Sequence, residues 1–350
     1  MNFLICPDCR SNFKQEDGQL ACPACDRKYP LREGIPVIKK DSDYFYDYEF
    51  SREEYRKMVD RAEKEGWYQA FAESRNQQGK QISNYNIFFN SDERKAVWKY
   101  LLPVQKEGRV LDYGSGFGNI SSSLSRVFGE VVSMEPSFER LRMWQIRASQ
   151  TSIKNVSFIC YGGDSTKLPF KDSHFDLVIL NGVLEWIPES VREGDPRHVQ
   201  LEALKEIRRV LKKDGVLYIG IENRLAFQYF LGYPDHHAGL RFPTLLPRRM
   251  ANIYSKLVKG RDYRVYTYSW WGYKNILREA GFPNIKIYWP YPTYAEPLYI
   301  SEASDSKTIE YLVEQYSGNR FLSLIARYLA KTGGLKYFFE TYSLVARQVI

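Results

Sequence analysis

The sequence predicts an α/β protein, a parallel sheet flanked by helices with a small separate module ahead of it. Three observations lead there. Five short apolar runs alternate with helical patterns between Arg109 and Ile221, a glycine-rich turn follows the first run, and four of the five cysteines fall within the first 25 positions. At 350 residues the chain is long enough for about two domains, and 44% apolar with 26% charged residues excludes a disordered or collagen-like polypeptide. No apolar run approaches the roughly 18 residues of a membrane span, and Met1 to Cys6 leaves no room for a signal peptide. A cytoplasmic protein without a membrane span is therefore expected. Lys and Arg number 50 against 42 Asp and Glu, a net charge of +8 that hints at an anionic partner.

Cys6-Pro7-Asp8-Cys9 and Cys22-Pro23-Ala24-Cys25 are two C-x-x-C pairs separated by 12 residues, with Asp17-Gly18 as a hairpin tip between them. Each pair can clamp a metal from one tight knuckle, and two knuckles complete a tetrahedral thiolate site. Redox motifs or buried thiols would share the spacing. A segment this polar and short needs a staple to fold, which favours zinc. Four thiolates leave no open position for a catalytic water, so this zinc is expected to be structural. Cys160, alone in an apolar run, reads as core.

With Tyr29-Pro30-Leu31-Arg32-Glu33-Gly34-Ile35-Pro36-Val37, the cysteine pairs resemble the zinc-ribbon partner subunit of tRNA and release-factor methyltransferases over about residues 3–40. The resemblance implies a module that docks on a methyltransferase.

Arg109-Val110-Leu111-Asp112-Tyr113-Gly114-Ser115-Gly116-Phe117-Gly118 reads as a buried strand followed by a turn whose glycines let backbone approach a ligand. Val131 to Glu135 is a second strand ending in an acid 17 residues past Gly118, placed to grip ribose hydroxyls. Strands at Val156–Cys160, Phe175–Leu180 and Gly215–Ile221 follow. Between the last two, Leu201, Leu204, Ile207, Val210 and Leu211 recur at helical spacing, with Asp214-Gly215 expected to end the helix. Strands alternating with helices imply right-handed crossovers and a parallel sheet.

Asp112 to Gly118, Glu135, Asp164, the strand and loop from Phe175 to Ile187, and Leu211 to Gly215 resemble class I S-adenosylmethionine-dependent methyltransferases over about residues 85–302. That resemblance implies a Rossmann-like seven-stranded methyltransferase sheet. It also implies that Asp112 and the backbone of Gly114, Gly116 and Gly118 hold the amino-acid end of the cofactor, while Glu135 accepts the ribose hydroxyls. Asp164, with Ser165 beside it, would meet the adenine, and Asn181 with Gly182 would face the transferable methyl. As plain structure, Asp164 would be a turn residue and Asn181 a strand-end cap. A nucleotide dehydrogenase would place G-x-G-x-x-G directly after the strand, where this chain has Asp112.

The organisation expected is a zinc ribbon at 1–40, a helical connection or lid at 41–105, a catalytic domain at 106–302 and a helical tail at 303–350. In the connection, Ser91-Asp92-Glu93 offers a helix start, Val97, Trp98, Leu101 and Leu102 a buried face, and Tyr44, Tyr46, Tyr48 and Tyr55 read as packing residues. An insertion at 226–264 carries seven Lys and Arg against two Asp. A solvated loop could look like this; the functional reading is a basic cap, with Arg241, Arg248 and Arg249 binding an anionic acceptor. Glu222-Asn223-Arg224, Asp235-His236-His237-Ala238-Gly239 and Leu245-Leu246-Pro247-Arg248 resemble methyltransferases of bacterial surface-polysaccharide assembly.

A hydroxyl acceptor has to lose its proton, which calls for a positioned base. His237 is the first candidate, with His236 beside it and Glu185 as the alternative; His174 and His198 read as surface residues. The function expected is O-methylation of an anionic saccharide or saccharide-linked metabolite. RNA methylation is a second reading, resting on the ribbon and the basic insertion, and a non-catalytic cofactor-binding scaffold a third.

Overall fold

Each apolar run expected to be a strand forms one in the computed structural model, which describes residues 2–39, 50–77, 92–103, 106–162, 165–316 and 320–348. The chain divides into two compact units, Met1–Leu180 with Glu206–Val216, and Asn181–Lys205 with Leu217–Ile350. Ser91, Asp164, Tyr44, Tyr46 and Tyr48 lie outside the described residues.

The first unit begins with β1 (Lys14–Glu16), β2 (Gln19–Ala21), β3 (Lys28–Arg32) and β4 (Ile35–Ile38), an antiparallel meander with Asp17-Gly18 at its first tip. The parallel strands are β5 (Arg109–Tyr113), β6 (Glu130–Glu135), β7 (Val156–Tyr161) and β8 (Phe175–Asn181). They lie in the order β7-β6-β5-β8, the Rossmann-like arrangement expected. Val110, Leu111, Val131, Val132 and Val178 are fully buried between the helical layers. Both faces of such a sheet are covered, hence the near-continuous apolar runs.

The ribbon docks on this sheet in cis. β4 pairs in parallel with β7, Val37 opposite Cys160, and Ile35 and Val37 pack with Leu141, Trp144, Ala148 and Cys160. A second attachment is main-chain: the Ile5 amide donates to the Pro169 carbonyl and the Lys171 amide to that of Phe3. Cys160 is core, as expected. In the connection, Ser51 and Glu54 form a reciprocal capping box at the start of the helix Arg52–Glu65. Tyr55, Met58, Ala62 and Phe71 from this region bury against Phe117, Met143 and Ile146. Tyr55 is thus a packing residue.

His174 is not a surface residue. Its ring stacks on Phe3 and meets Phe175 edge-on, and burial, then nearby Arg109, Lys212 and Lys171, push its pKa down to about 4.

In the second unit the strand order is β9-β12-β10-β11, where β9 is Leu211–Glu222 (in this unit from Leu217), β10 Asn284–Tyr291, β11 Tyr299–Glu302 and β12 Thr341–Arg347. Two expectations change. The helix Pro196–Val210 stops before Asp214-Gly215, and Leu211 to Asp214 already belong to β9, where Lys212 is held by Asp176. The tail expected to be helical from 303 does contain helices Ser306–Tyr316 and Arg320–Lys331, but it ends in β12. Tyr342, Leu344 and Ala346 are fully buried, and β12 runs antiparallel to β10. A seven-residue segment that mixes Tyr342, Leu344, Val345 and Ala346 with Thr341, Ser343 and Arg347 fits either period, so the packing decides.

Candidate active site and metal centre

The two cysteine knuckles repeat one backbone design. The Cys6 amide donates to Ser11 and the Arg10 amide to Cys6, while the Cys22 amide donates to Arg27 and the Asp26 amide to Cys22. The Cys6 and Cys25 sulfurs lie 3.6 Å apart and those of Cys9 and Cys22 3.3 Å apart. All four Sγ atoms fall within 4.8 Å of one another, and none is in a disulfide. Four thiolates about 2.3 Å from one zinc ion stand roughly 3.8 Å apart, so the donor set fits. Main-chain and side-chain hydrogen bonds from Ser11 hold the Cys9 thiol down at about 6, towards the thiolate that metal binding requires.

At the end of β5 the chain turns through Gly114 to Gly118, and the amides of Gly114 and Ser115 donate to Met134 on β6. Asp112 is buried and accepts from Ser121 Oγ at 2.6 Å; Ser121 is bonded in turn to Ser133, which receives the Trp144 indole N–H at 2.9 Å. Burial pushes the Asp112 carboxyl up to about 6. Glu135 ends β6 with one carboxylate oxygen accepting from the Gly116 amide at 3.0 Å and the other from the Ser137 amide at 3.1 Å.

The glycines differ in purpose. A Cβ on Gly118 would lie 2.0 Å from the Trp144 ring, so that position serves packing. A Cβ on Gly116 meets no atom of the described residues within 4 Å, although its φ is +54°. Ser115 Oγ beside it is buried without a hydrogen-bond partner among the described residues. An accessible Gly116 backbone, an unpartnered hydroxyl and an acid at the strand end suit a nucleoside-bearing ligand. Ser165, expected at the adenine, accepts from the Lys167 amide.

Asn181, Glu185, Glu222, Asp235 and His237 all belong to the second unit. Asn181 Oδ1 is buried with no hydrogen-bond partner among the described residues. Glu185 sits in the turn after β8, Glu222 ends β9, and Asp235 opens a tight loop closed by its own amide on Leu240. Asp235 accepts from both the His237 amide and His237 Nδ1 at 3.1 Å, and its second oxygen accepts from Tyr263 at 2.9 Å. His237 Nε2 then points between two carboxylates, 3.7 Å from Glu185 and 3.6 Å from Glu222. Trp186 meets the imidazole edge-on, and Tyr294 donates to the other Glu222 oxygen.

Burial opposes charge on His237, but the bond to Asp235 and the nearness of Glu185 and Glu222 outweigh it and lift the ring to about 11. Burial, then Glu185, pushes Glu222 up to about 7. A ring that keeps its proton at neutral pH is a donor, so in this state His237 is not the base expected from the sequence. His236 stands apart, exposed, with its Nε2 on Gln228 and 3.8 Å from Glu340.

The insertion is not one free basic patch. Arg264 is bound by the carbonyls of Pro188, Glu193 and Gly194; Lys256 pairs with Asp262, and Arg261 lies 3.7 Å from Glu189. Arg241 and Arg249 are exposed. Arg248 is half-buried 4.1 Å over the Tyr266 ring, donates to the Thr267 carbonyl, and has Nη1 buried without a hydrogen-bond partner among the described residues. Arg224, which sequence reasoning did not place in the site, donates to Thr244 and Leu246; burial, then Arg248, pulls its pKa down to about 10. Glu222 was also missed as a site residue. Its position at the carboxyl end of β9 was the available signal.

Residues 111–219 match the family described as a methyltransferase domain, and residues 1–34 the family described as Trm112p-like protein. The ubiquinone/menaquinone biosynthesis C-methyltransferase UbiE of Pseudomonas paraeruginosa is 32% identical over 131 residues, covering 35% of this chain and 46% of that protein. The uncharacterized methyltransferase YcgJ of Bacillus subtilis is 29% identical over 109 residues, 31% of this chain and 38% of that protein. The chain thus spans less than half the length of these curated relatives. The crystal structure of YcgJ aligns with a TM-score of 0.41 at 19% identity over 73% of this chain and 99% of that one. A complex between the Haloferax volcanii Trm112 methyltransferase activator and a methyltransferase aligns with a TM-score of 0.43 at 17% identity, covering 76% of this chain and 94% of that one. Among the described residues no helix is long and apolar enough to cross a membrane. Residues 111–219 are thus a class I methyltransferase domain, and residues 1–34 a Trm112p-like module fused ahead of it.

Proposed function

We propose that the chain is an S-adenosylmethionine-dependent methyltransferase that methylates a hydroxyl of an anionic saccharide or saccharide-linked metabolite. The observation that carries the cofactor assignment is Glu135, anchored by two main-chain amides at the end of β6 beside an accessible Gly116. From there it accepts the ribose hydroxyls, while the 114–118 backbone receives the amino-acid end. When bound, the cofactor supplies an electrophilic methyl group on a sulfonium. Transfer of that methyl to an acceptor oxygen would be an in-line displacement, so the contribution of this chain is alignment and exclusion of water. Within the second unit, the Glu185–Glu222–His237 cluster supplies the polar groups that would ease loss of a hydroxyl proton. The four ribbon cysteines would hold zinc, which stays structural.

Arg248 supports an anionic acceptor. Its guanidinium is half-buried with a second arginine nearby, and among the described residues neither its Nη1 nor the buried Thr244 Oγ1 has a hydrogen-bond partner. Arg241 and Arg249 stand at the exposed side of the same insertion. The RNA reading draws less support, because Arg264, Lys256 and Arg261 are already engaged.

Calorimetry and label transfer test the proposal. Glu135→Ala is expected to weaken S-adenosylhomocysteine binding at least about tenfold, as charge-assisted hydrogen bonds are worth roughly 1.5–3 kcal/mol each. Labelled methyl is expected in hexuronates or sugar phosphates, with Arg248→Gln raising KM. Label entering only RNA, or NAD binding more tightly than S-adenosylhomocysteine, would overturn the reading.

A further inference from the structure

The cluster around His237 is poorly satisfied for a site that handles only protons. Glu185 is fully buried, and neither of its carboxylate oxygens has a hydrogen-bond donor among the described residues; Glu222 Oε2 also has none. At 3.7 and 3.6 Å, the approaches of His237 Nε2 to Glu185 and Glu222 are too long for hydrogen bonds. They are close to the separation of neighbouring ligands around one ion, since atoms about 2.1 Å from a metal stand roughly 3–3.4 Å apart. The far side of the ring completes the pattern. Nδ1 is bonded to Asp235, and Asp235 is fixed by Tyr263, the outer-shell arrangement that orients a ligating imidazole.

We infer that Glu185, Glu222 and His237 bind one divalent cation, each giving one ligand atom, with Asp235 as the positioning residue for His237. The three ligand atoms lie within 4.8 Å of one another. One imidazole with two carboxylates suits a borderline transition-metal ion such as Mn2+, Fe2+ or Zn2+ and leaves positions open. Charge argues the same way. Three carboxylates are buried around one imidazole, and uncompensated buried charge is strongly unfavourable. The carboxylates that hold a proton on His237 attract a divalent ion more strongly, and the ion displaces that proton to solvent. This site is separate from the cysteine ribbon, whose soft thiolates select zinc. Its role rests on the function proposed above: the cation would polarise the acceptor hydroxyl, and the open positions would admit it.

The test is a Mn2+ titration of the full chain, zinc-loaded at the ribbon, followed by electron paramagnetic resonance. One Mn2+ per chain is expected, removable by EDTA while the ribbon zinc stays. Asp235→Asn is expected to weaken Mn2+ binding about 10–100-fold, and His237→Ala to abolish it, with S-adenosylhomocysteine affinity unchanged in both. Wild-type protein that takes up neither Mn2+ nor a second zinc overturns the inference, and this result needs no variant to fold. Mn2+ binding without methyl transfer to any saccharide upholds the metal site and sinks the saccharide reading. Transfer at full rate in EDTA overturns the cation's role on the acceptor hydroxyl and leaves the saccharide reading standing.

Discussion

Replacing Gly118 and Gly116 in turn by alanine should separate what the glycine turn does for the fold from what it does for the ligand. Gly118 has φ +75°, where a side chain costs about 1–2 kcal/mol, and its new Cβ would fall 2.0 Å from a fully buried Trp144. Trp144 cannot swing away freely, because its indole N–H anchors Ser133, which is bonded to Ser121. Overpacking of this kind adds about 1–3 kcal/mol. The total, about 2–5 kcal/mol, corresponds to a fall in Tm of roughly 5–15 °C for a unit of this size. Gly116→Ala carries only the backbone cost, about 1–2 kcal/mol, since its Cβ meets no atom of the described residues within 4 Å. That methyl group stands where the nucleoside ligand is proposed to approach, so S-adenosylhomocysteine affinity should fall at least about tenfold in a variant that remains folded. Thermal unfolding by circular dichroism and calorimetric titration of both variants give the answer. Equal stability of Gly118→Ala and wild type, or wild-type affinity in Gly116→Ala, would refute the reasoning.

Two further outcomes follow from other sites. Cys9→Ser should lower the zinc content by one ion per chain and expose residues 3–38 to proteolysis, because metal binding is folding energy for such a module; metal analysis that finds no change would remove zinc from the ribbon. His174, with its pKa lowered to about 4 from the ordinary 6.5, binds its proton more weakly folded than unfolded, so stability is full above pH 6.5 and lost as pH falls towards 4. The loss from this residue should be of order 2–3 kcal/mol, and urea denaturation of His174→Phe should show a correspondingly flatter profile between pH 6.5 and 4.5.

What could be read from the sequence alone was whatever depends on local period and local chemistry. Two knuckles at fixed spacing, a strand that runs into Gly114–Gly118, and Glu135 at the end of the next strand each announce themselves within a few residues, and the fold places them as expected. Period-2 and buried runs marked β5 to β9 because a parallel sheet needs apolar side chains on both faces. Where a short run fits two periods, the sequence was silent. Thr341–Arg347 became a buried strand only because β10 offered it hydrogen-bond partners. The charged residues were the least legible. Composition showed seven cations in the insertion, but only tertiary contacts decided that Arg264 caps carbonyls, that Arg248 lies half-buried over Tyr266, and that Arg241 stays in solvent. Likewise Glu185, Glu222, Asp235 and His237 span 53 positions of sequence and meet only when the turn after β8, the end of β9 and the insertion loop converge. Long-range electrostatics depends on distance in space and on burial, and neither is written in the spacing of residues along the chain.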